Sequence, residues 1–323
     1  MKLRKRSGSR LVLHLTGGLG NQLFQIAAAL YSSKARNIGI EWVFGRPRLN
    51  SLNQPQISCY ELPINITLLQ KSKDSWLARK TLGYLLRSSV EPRGLEKVNS
   101  FHHFALFLGS VVLLTKSGSF RQITTGDDLG YCSLRVDDKK RYLVGYFQTY
   151  RYLEDHFVRD ILQNLKVKNF EQYASFKELA ASEEPLVVHV RLTDYRKEDN
   201  FGIPDVSYYH SAITELWKTG VYKGIWLFSD EPTNALERVP RELITYVRVF
   251  GNIENCTAKT LEVMRLGKGY VIANSSFSWW GARLSKSDEP VVVVPDPWFS
   301  NLNEPSHLIP INWIRKEARH RID

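Results

Sequence analysis

The chain has 323 residues, 43% hydrophobic and 24% charged, a composition that excludes a fibrous or globally disordered protein. One hydrophobic core rarely serves that length, so two domains are expected, 1–165 and 166–323. A net charge of +11 favours anionic partners, yet the basic residues are dispersed and no zinc-finger, RNA-binding aromatic or long basic-helix pattern occurs, so nucleic acid is not an expected partner.

After a basic opening (Lys2, Arg4, Lys5, Arg6, Arg10), the run 11–15 reads as a first strand and is too short for the apolar core of a signal peptide. The longest later apolar run, 104–114, is about half the roughly 20 residues a spanning helix needs. Cys59, Cys132 and Cys256 are widely spaced, with no CxxC pair, which suits a reducing compartment rather than a disulfide framework. The expectation is a cytoplasmic protein, at most peripheral at an anionic membrane surface.

Gly17, Gly18 and Gly20 with Asn21 and Gln22 form a glycine-rich turn that leads into a helix over 22–36. The GxGxxG spacing of a dinucleotide fingerprint is absent, so a ligand-cradling turn and a plain strand-to-helix turn are equally good readings. A strand over 40–44 follows. The stretch 45–140, broken by Pro47, Pro55, Pro63 and Pro92, has poor periodicity, with one helix expected over 76–87. A strand over 141–148 leads to an amphipathic helix over 150–165, and the polar stretch 166–185 separates the halves.

Strands and helices then alternate: strand 186–190, helix 207–217, strand 225–228, strand 246–249, helix 258–266, strand 270–273, helix 277–284 and a closing strand 291–294. This is the pattern of a parallel sheet in a Rossmann-like domain. In such sheets ligands lie beyond the carboxyl ends of the strands, which is where the informative residues fall. Arg191 and Asp194 follow the apolar run 186–190, and arginine can fork two hydrogen bonds onto a phosphate. Asp230 follows the next strand, as a ribose or base ligand or as a helix-start cap. Asn274, Ser275, Ser276 and Phe277 open a helix, either as an anion site made of free backbone N–H groups or as simple capping before an aromatic core segment. No Asp-x-Asp motif occurs, so no divalent metal is expected.

Six stretches occur in an order that resembles glycosyltransferase family 11, the bacterial and animal α-1,2-fucosyltransferases. They are GGLGNQLFQ from Gly17, LVGYFQTYRYL from Leu143, HVRLTDY from His189, FSDEP from Phe228, ANSSFSWWGA from Ala273 and VPDPWF from Val294. The resemblance implies an α/β protein of GT-B type, two Rossmann-like domains facing across a cleft, with GDP-fucose on the C-terminal half. It implies inverting, metal-independent transfer of fucose to the 2-hydroxyl of a β-galactoside, such as a lipid-linked O-antigen unit. A non-catalytic GDP-sugar or glycan-binding protein of the same fold is the alternative. Carried over by residue, Arg191 would bind the diphosphate, His189 would lie near guanine, and Ser275, Ser276 and Phe277 would contact phosphate and nucleotide. Asn274 belongs to the same donor-binding segment, Asp230 would hold base or ribose, and Asn21 would face the reaction centre. The general base is sought among Asp194, Glu198 and Asp199, with Asp199 ranked first. Leu192 stands where the family commonly has a second arginine. Neighbouring residues of an extended strand end point oppositely, so that position reads as structural.

Overall fold

The computed structural model describes residues 11–33, 38–41, 48–63, 66–69, 122–125, 129–134, 141–197 and 200–321. They form two compact units, one of the described residues up to Leu165 with Pro305–Leu308, the other of Lys166–Glu304 with those from Ile309 onward. The expected helix over 76–87 lies outside the described residues, as do Glu198 and Asp199.

The first unit is built on five parallel strands: β1 (Leu11–His14), β2 (Ile38–Glu41), β3 (Ile66–Leu69), β4 (Gln122–Thr125) and β5 (Arg141–Val144), in the order β3-β2-β1-β5-β4. Helix α1 (Leu19–Ser33) packs its apolar side chains completely, with Phe24, Ala27 and Leu30 at 0% exposure. It begins three residues before the expected start because Gln56 Oε1 accepts the Leu19 N–H at 2.8 Å, a cap that comes from 37 residues away. The expected helix over 150–165 is interrupted. A 3-10 turn (Arg151–Glu154) ends at extended Asp155, whose carboxylate accepts the N–H groups of Phe157 (3.0 Å) and Val158 (3.4 Å) and so starts α2 (His156–Gln163).

The second unit carries six parallel strands, β6 (Leu186–Val190), β8 (Ile225–Ser229), β9 (Val247–Phe250), β10 (Gly269–Val271), β11 (Val291–Asp296) and β12 (Ile314–Glu317), in the order β12-β11-β10-β6-β8-β9. A short antiparallel pair, β7 (Ile203–Pro204) and β13 (His320–Arg321), lies apart from it. Strands β3, β4, β7 and β13 were not expected from the sequence, and neither were two further elements of the second unit. Helix α3 (Tyr173–Glu183) lies in the polar stretch and has no fully buried residue, while β12 is a polar, largely exposed edge strand.

The residues of β6 are buried on both faces, the mark of a central parallel strand. Leu186, Val188 and Val190 join the core cluster with α4 (Val206–Trp217), leaving Val187 and His189 for the opposite face. Helix α4 contributes Tyr208, Tyr209, Ala212, Ile213 and Leu216 to that core, each large side chain stabilising it by about 2 kcal/mol. Its two tyrosines also reach the strand ends: Tyr208 O–H donates to the carbonyls of Ile272 (2.7 Å) and Val293 (3.1 Å), and Tyr209 O–H to that of His189 (3.2 Å). After the short helix α5 (Pro232–Ala235) come α6 (Thr257–Met264) and α7 (Ser276–Arg283). Gly281 lets these last two approach, since a Cβ there would sit 2.5 Å from Met264 Sδ. Among the described residues no helix is long and apolar enough to cross a membrane.

Candidate functional site

In the second sheet the chain runs from β6 outward through β8 and β9, while β10, β11 and β12 lie on the other side of β6. The carboxyl ends of β6 and β10 therefore flank a topological switch point, the place where open α/β sheets hold ligands. The end of β6 supplies His189, the segment after it Arg191 and Asp194, and the segment after β10 Asn274 and the start of α7.

Arg191 lies between two carboxylates. Its Nε is 2.7 Å from Asp194 Oδ1 and 3.4 Å from Asp230 Oδ2, which leaves the Nη end of the fork outside both contacts. Burial alone would lower its pKa, but Asp194 and Asp230 outweigh that and hold the guanidinium above its ordinary value. Asp230 does more than balance charge. Oδ1 accepts the Leu192 N–H at 3.0 Å and Oδ2 the Thr193 N–H at 3.1 Å, so the carboxylate braces the turn that carries Arg191. Burial would raise its pKa, but Arg191 and these N–H groups hold it lowered. Both oxygens of the expected ribose or base ligand are thus already engaged. Leu192 is fully buried in the apolar core, so an arginine there would not face the same surface as Arg191.

His189 is 4% exposed, its Nδ1 has no hydrogen-bond partner among the described residues, and its ring lies 5.8 Å from that of Phe277 across the switch point. Burial, helped by the Arg191 charge, pushes its pKa down to about 3. The fold therefore keeps this imidazole neutral while the unfolded chain protonates it below its ordinary value of 6.5. Its contribution to stability is full above pH 6.5, falls by up to about 1.4 kcal/mol per pH unit as pH drops, and levels off near pH 3. Denaturant titrations of the wild type and His189→Gln between about pH 6 and pH 4 should show a clearly shallower pH slope in the variant; equal slopes would place the acid-labile group elsewhere.

Helix α7 starts from Ser275, whose Oγ accepts the Phe277 N–H at 3.3 Å. Ser276 and Phe277, half-buried, occupy the first turn, where backbone N–H groups and the positive dipole end favour an anion. Asn274 is 1% exposed and its Nδ2 donates to the carbonyls of Phe201 (2.8 Å) and Gly202 (3.1 Å), while its buried Oδ1 has no partner among the described residues. Tyr195 O–H donates to the Asn274 carbonyl at 3.1 Å, linking the loop after β6 to the start of α7. Phe201 and Tyr209 were not singled out in the sequence, where aromatic residues in loops and helices resemble ordinary core.

The glycine-rich turn belongs to the first unit and forms a separate group at the β1–β5 switch point. Gly17 has φ +72° and a Cβ there would meet Asn21 Nδ2 at 2.5 Å, so glycine is required. Gly18 has ordinary space, with Arg48 Cδ at 3.6 Å, and Gly20 is buried within α1. Asn21 Oδ1 accepts from Gln148 Nε2 at 3.0 Å, joining the segments that follow β1 and β5. Gln22 points into the interior of the unit. It is fully buried, donates from Nε2 to the carbonyls of Gly17 (3.0 Å) and Arg48 (3.2 Å), and accepts the Ile57 N–H at 3.0 Å. Among the described residues no cluster of His, Cys, Asp and Glu could hold a metal ion.

The chain thus holds two Rossmann-like units, the second with an arginine and a helix N-terminus at its switch point, an arrangement that suits an anionic ligand. The chain belongs to glycosyl transferase family 11, whose model matches residues 124–316. It is 26% identical to the O-antigen biosynthesis glycosyltransferase WbnK of Escherichia coli, over 93% of this chain and 98% of that protein. It is 24% identical to an alpha-1,2-colitosyltransferase of Escherichia coli, over 96% and 99% respectively. The solved fucosyltransferase NodZ from Bradyrhizobium overlays with a TM-score of 0.49 at 14% identity, covering 92% of this chain and 97% of that one.

Proposed function

We propose that this glycosyltransferase moves L-fucose from GDP-β-L-fucose to the 2-hydroxyl of a β-galactoside, with inversion and without a metal ion, in the synthesis of O-antigen. The observation that carries this reading is that Arg191, at the end of β6, and the N-terminus of α7, after β10, follow the two strands that flank the switch point. The acceptor oxygen forms a bond to the anomeric carbon as the bond from that carbon to the diphosphate oxygen breaks, and GDP leaves with the electron pair. A fixed guanidinium and backbone N–H groups stabilise the charge growing on that oxygen, which needs neither a proton nor a cation from elsewhere. Neutral His189 and Phe277 would line the nucleotide side. The acceptor hydroxyl gives up its proton to a carboxylate of the loop after β6. Asp194 is a weak candidate, since Arg191 already holds it at 2.7 Å, so Asp199 is assigned the proton. The first unit, with Asn21 and Gln148, takes the acceptor sugar.

The colitosyltransferase relative supports a second donor sugar, colitose, which is fucose without its 3-hydroxyl. Incubation with each GDP-sugar and a panel of β-galactosides, followed by mass spectrometry, separates the two, because the colitosylated product is lighter by one oxygen. A deoxyhexose gain unaffected by EDTA is expected, with NMR placing the linkage at the 2-hydroxyl. An EDTA-sensitive gain would remove the metal-free mechanism, and donor binding with no gain on any acceptor would favour a non-catalytic glycan-binding protein.

A further inference from the structure

The loop 145–151, which follows β5 in the first unit, concentrates backbone strain. Phe147 has φ 54°, and the two segments hydrogen-bonded to this loop each present another non-glycine residue in the left-handed region, Leu129 at φ 67° and His307 at φ 60°. Gln148 N–H donates to the Leu129 carbonyl at 2.6 Å; Tyr150 N–H (2.9 Å) and Thr149 Oγ1 (3.0 Å) both donate to the His307 carbonyl. L-residues adopt this conformation at a cost, and such strain gathers where a side chain must be presented to a ligand.

What the strain presents is a ring cluster. His307 is exposed, and its imidazole meets Tyr150 edge-to-face at 5.9 Å and Tyr131 at 6.3 Å. Tyr131 is in turn backed by Tyr152 at 5.4 Å and covered by the Arg151 guanidinium at 5.6 Å. An exposed imidazole with φ 60°, held by two hydrogen bonds to its carbonyl, adds nothing to a core. It does suit a pyranose, whose C–H face packs on aromatic rings while its hydroxyls meet phenol, imidazole and guanidinium groups. The same loop holds Gln148 against Asn21, so the ring cluster and the glycine-rich turn are fixed together.

We propose that Tyr150 and His307, backed by Tyr131 and rimmed by Arg151, form the platform that binds a sugar ring of the acceptor. This rests on the reading of the first unit as the acceptor side. His307→Asn removes the ring but keeps a residue that tolerates the left-handed conformation, Tyr150→Ala removes the second ring, and Tyr150→Phe restores it. The acceptor KM should rise about five- to tenfold in His307→Asn and Tyr150→Ala and recover in Tyr150→Phe, with kcat and donor KM within about twofold. Unchanged acceptor KM in both ring-deleting variants, or donor KM and kcat changing in step with it, would overturn the platform. If the wild type transfers no sugar, the proposed function itself fails. The platform is then read by saturation-transfer NMR of β-galactosides: signal lost in the ring-deleting variants supports it, and equal signal, or none on the wild type, overturns it.

Discussion

Replacing Arg191 with alanine is expected to reduce transfer by roughly a thousandfold, the upper end of what removing one preorganised charge-stabilising donor costs. The guanidinium is the cation the fold fixes at the end of β6, and Asp194 and Asp230 aim it through Nε. Lysine should restore only part of the loss, to about ten- to a hundredfold below the wild type, because an ammonium keeps the charge but not the fork. Removing Arg191 also strands Asp230, so the variants need a measured unfolding midpoint beside the kinetics. Folded Arg191→Ala protein turning over within tenfold of the wild type would take Arg191 out of the reaction.

Asp230→Ala should be the most destabilising single change at the site, by about 3–5 kcal/mol, because it unpairs Arg191 and releases the Leu192 and Thr193 N–H groups together. Asparagine should recover part of this through its one carbonyl oxygen. The pH dependence has a definite sign. The folded-state pKa of Asp230 is depressed, so its stabilisation is complete above the ordinary value of 3.8 and is lost as pH falls through the lower folded value. That window opens only at the acid end of the range in which His189 acts, so the slope between about pH 6 and pH 4 reports His189 and the added loss below 3.8 reports Asp230. If Asp230→Ala unfolds like the wild type without donor yet binds GDP-fucose poorly, the carboxylate is a donor ligand and not a brace.

The difference between those two roles shows what was legible in the sequence. The run Leu186–Val190 announces a central strand by its unbroken apolar character, and Arg191, Ser275 and Ser276 follow strands, so their placement at a switch point needed only the βα alternation. Asp230 was legible as a strand-end carboxylate, but its partners depend on the register that pairs Val190 with Ser229, which no local pattern records. Strand β12 escaped because an edge strand with charged, exposed side chains has no apolar signature. Helix α3 escaped for a similar reason: it buries no residue fully and touches the core through rings such as Phe176 against Phe250. The buried role of Gln22 has no local signature, because two of its partners, Arg48 and Ile57, lie 26 and 35 residues away.

That glutamine and its neighbour one turn on have a bearing on re-engineering. Gln25 accepts the Thr16 N–H and donates to the Gly145 carbonyl, each at 3.0 Å, while Gln22 holds Gly17, Arg48 and Ile57. Two amides on one helix thus tie together the segments after β1 and β5 and the stretch around 48–57. Loop grafting treats such segments as interchangeable modules, and here they are not. A transplanted loop has to bring a carbonyl or an N–H to the same point, or it leaves a buried amide stranded in a helix that has no slack to turn it outward.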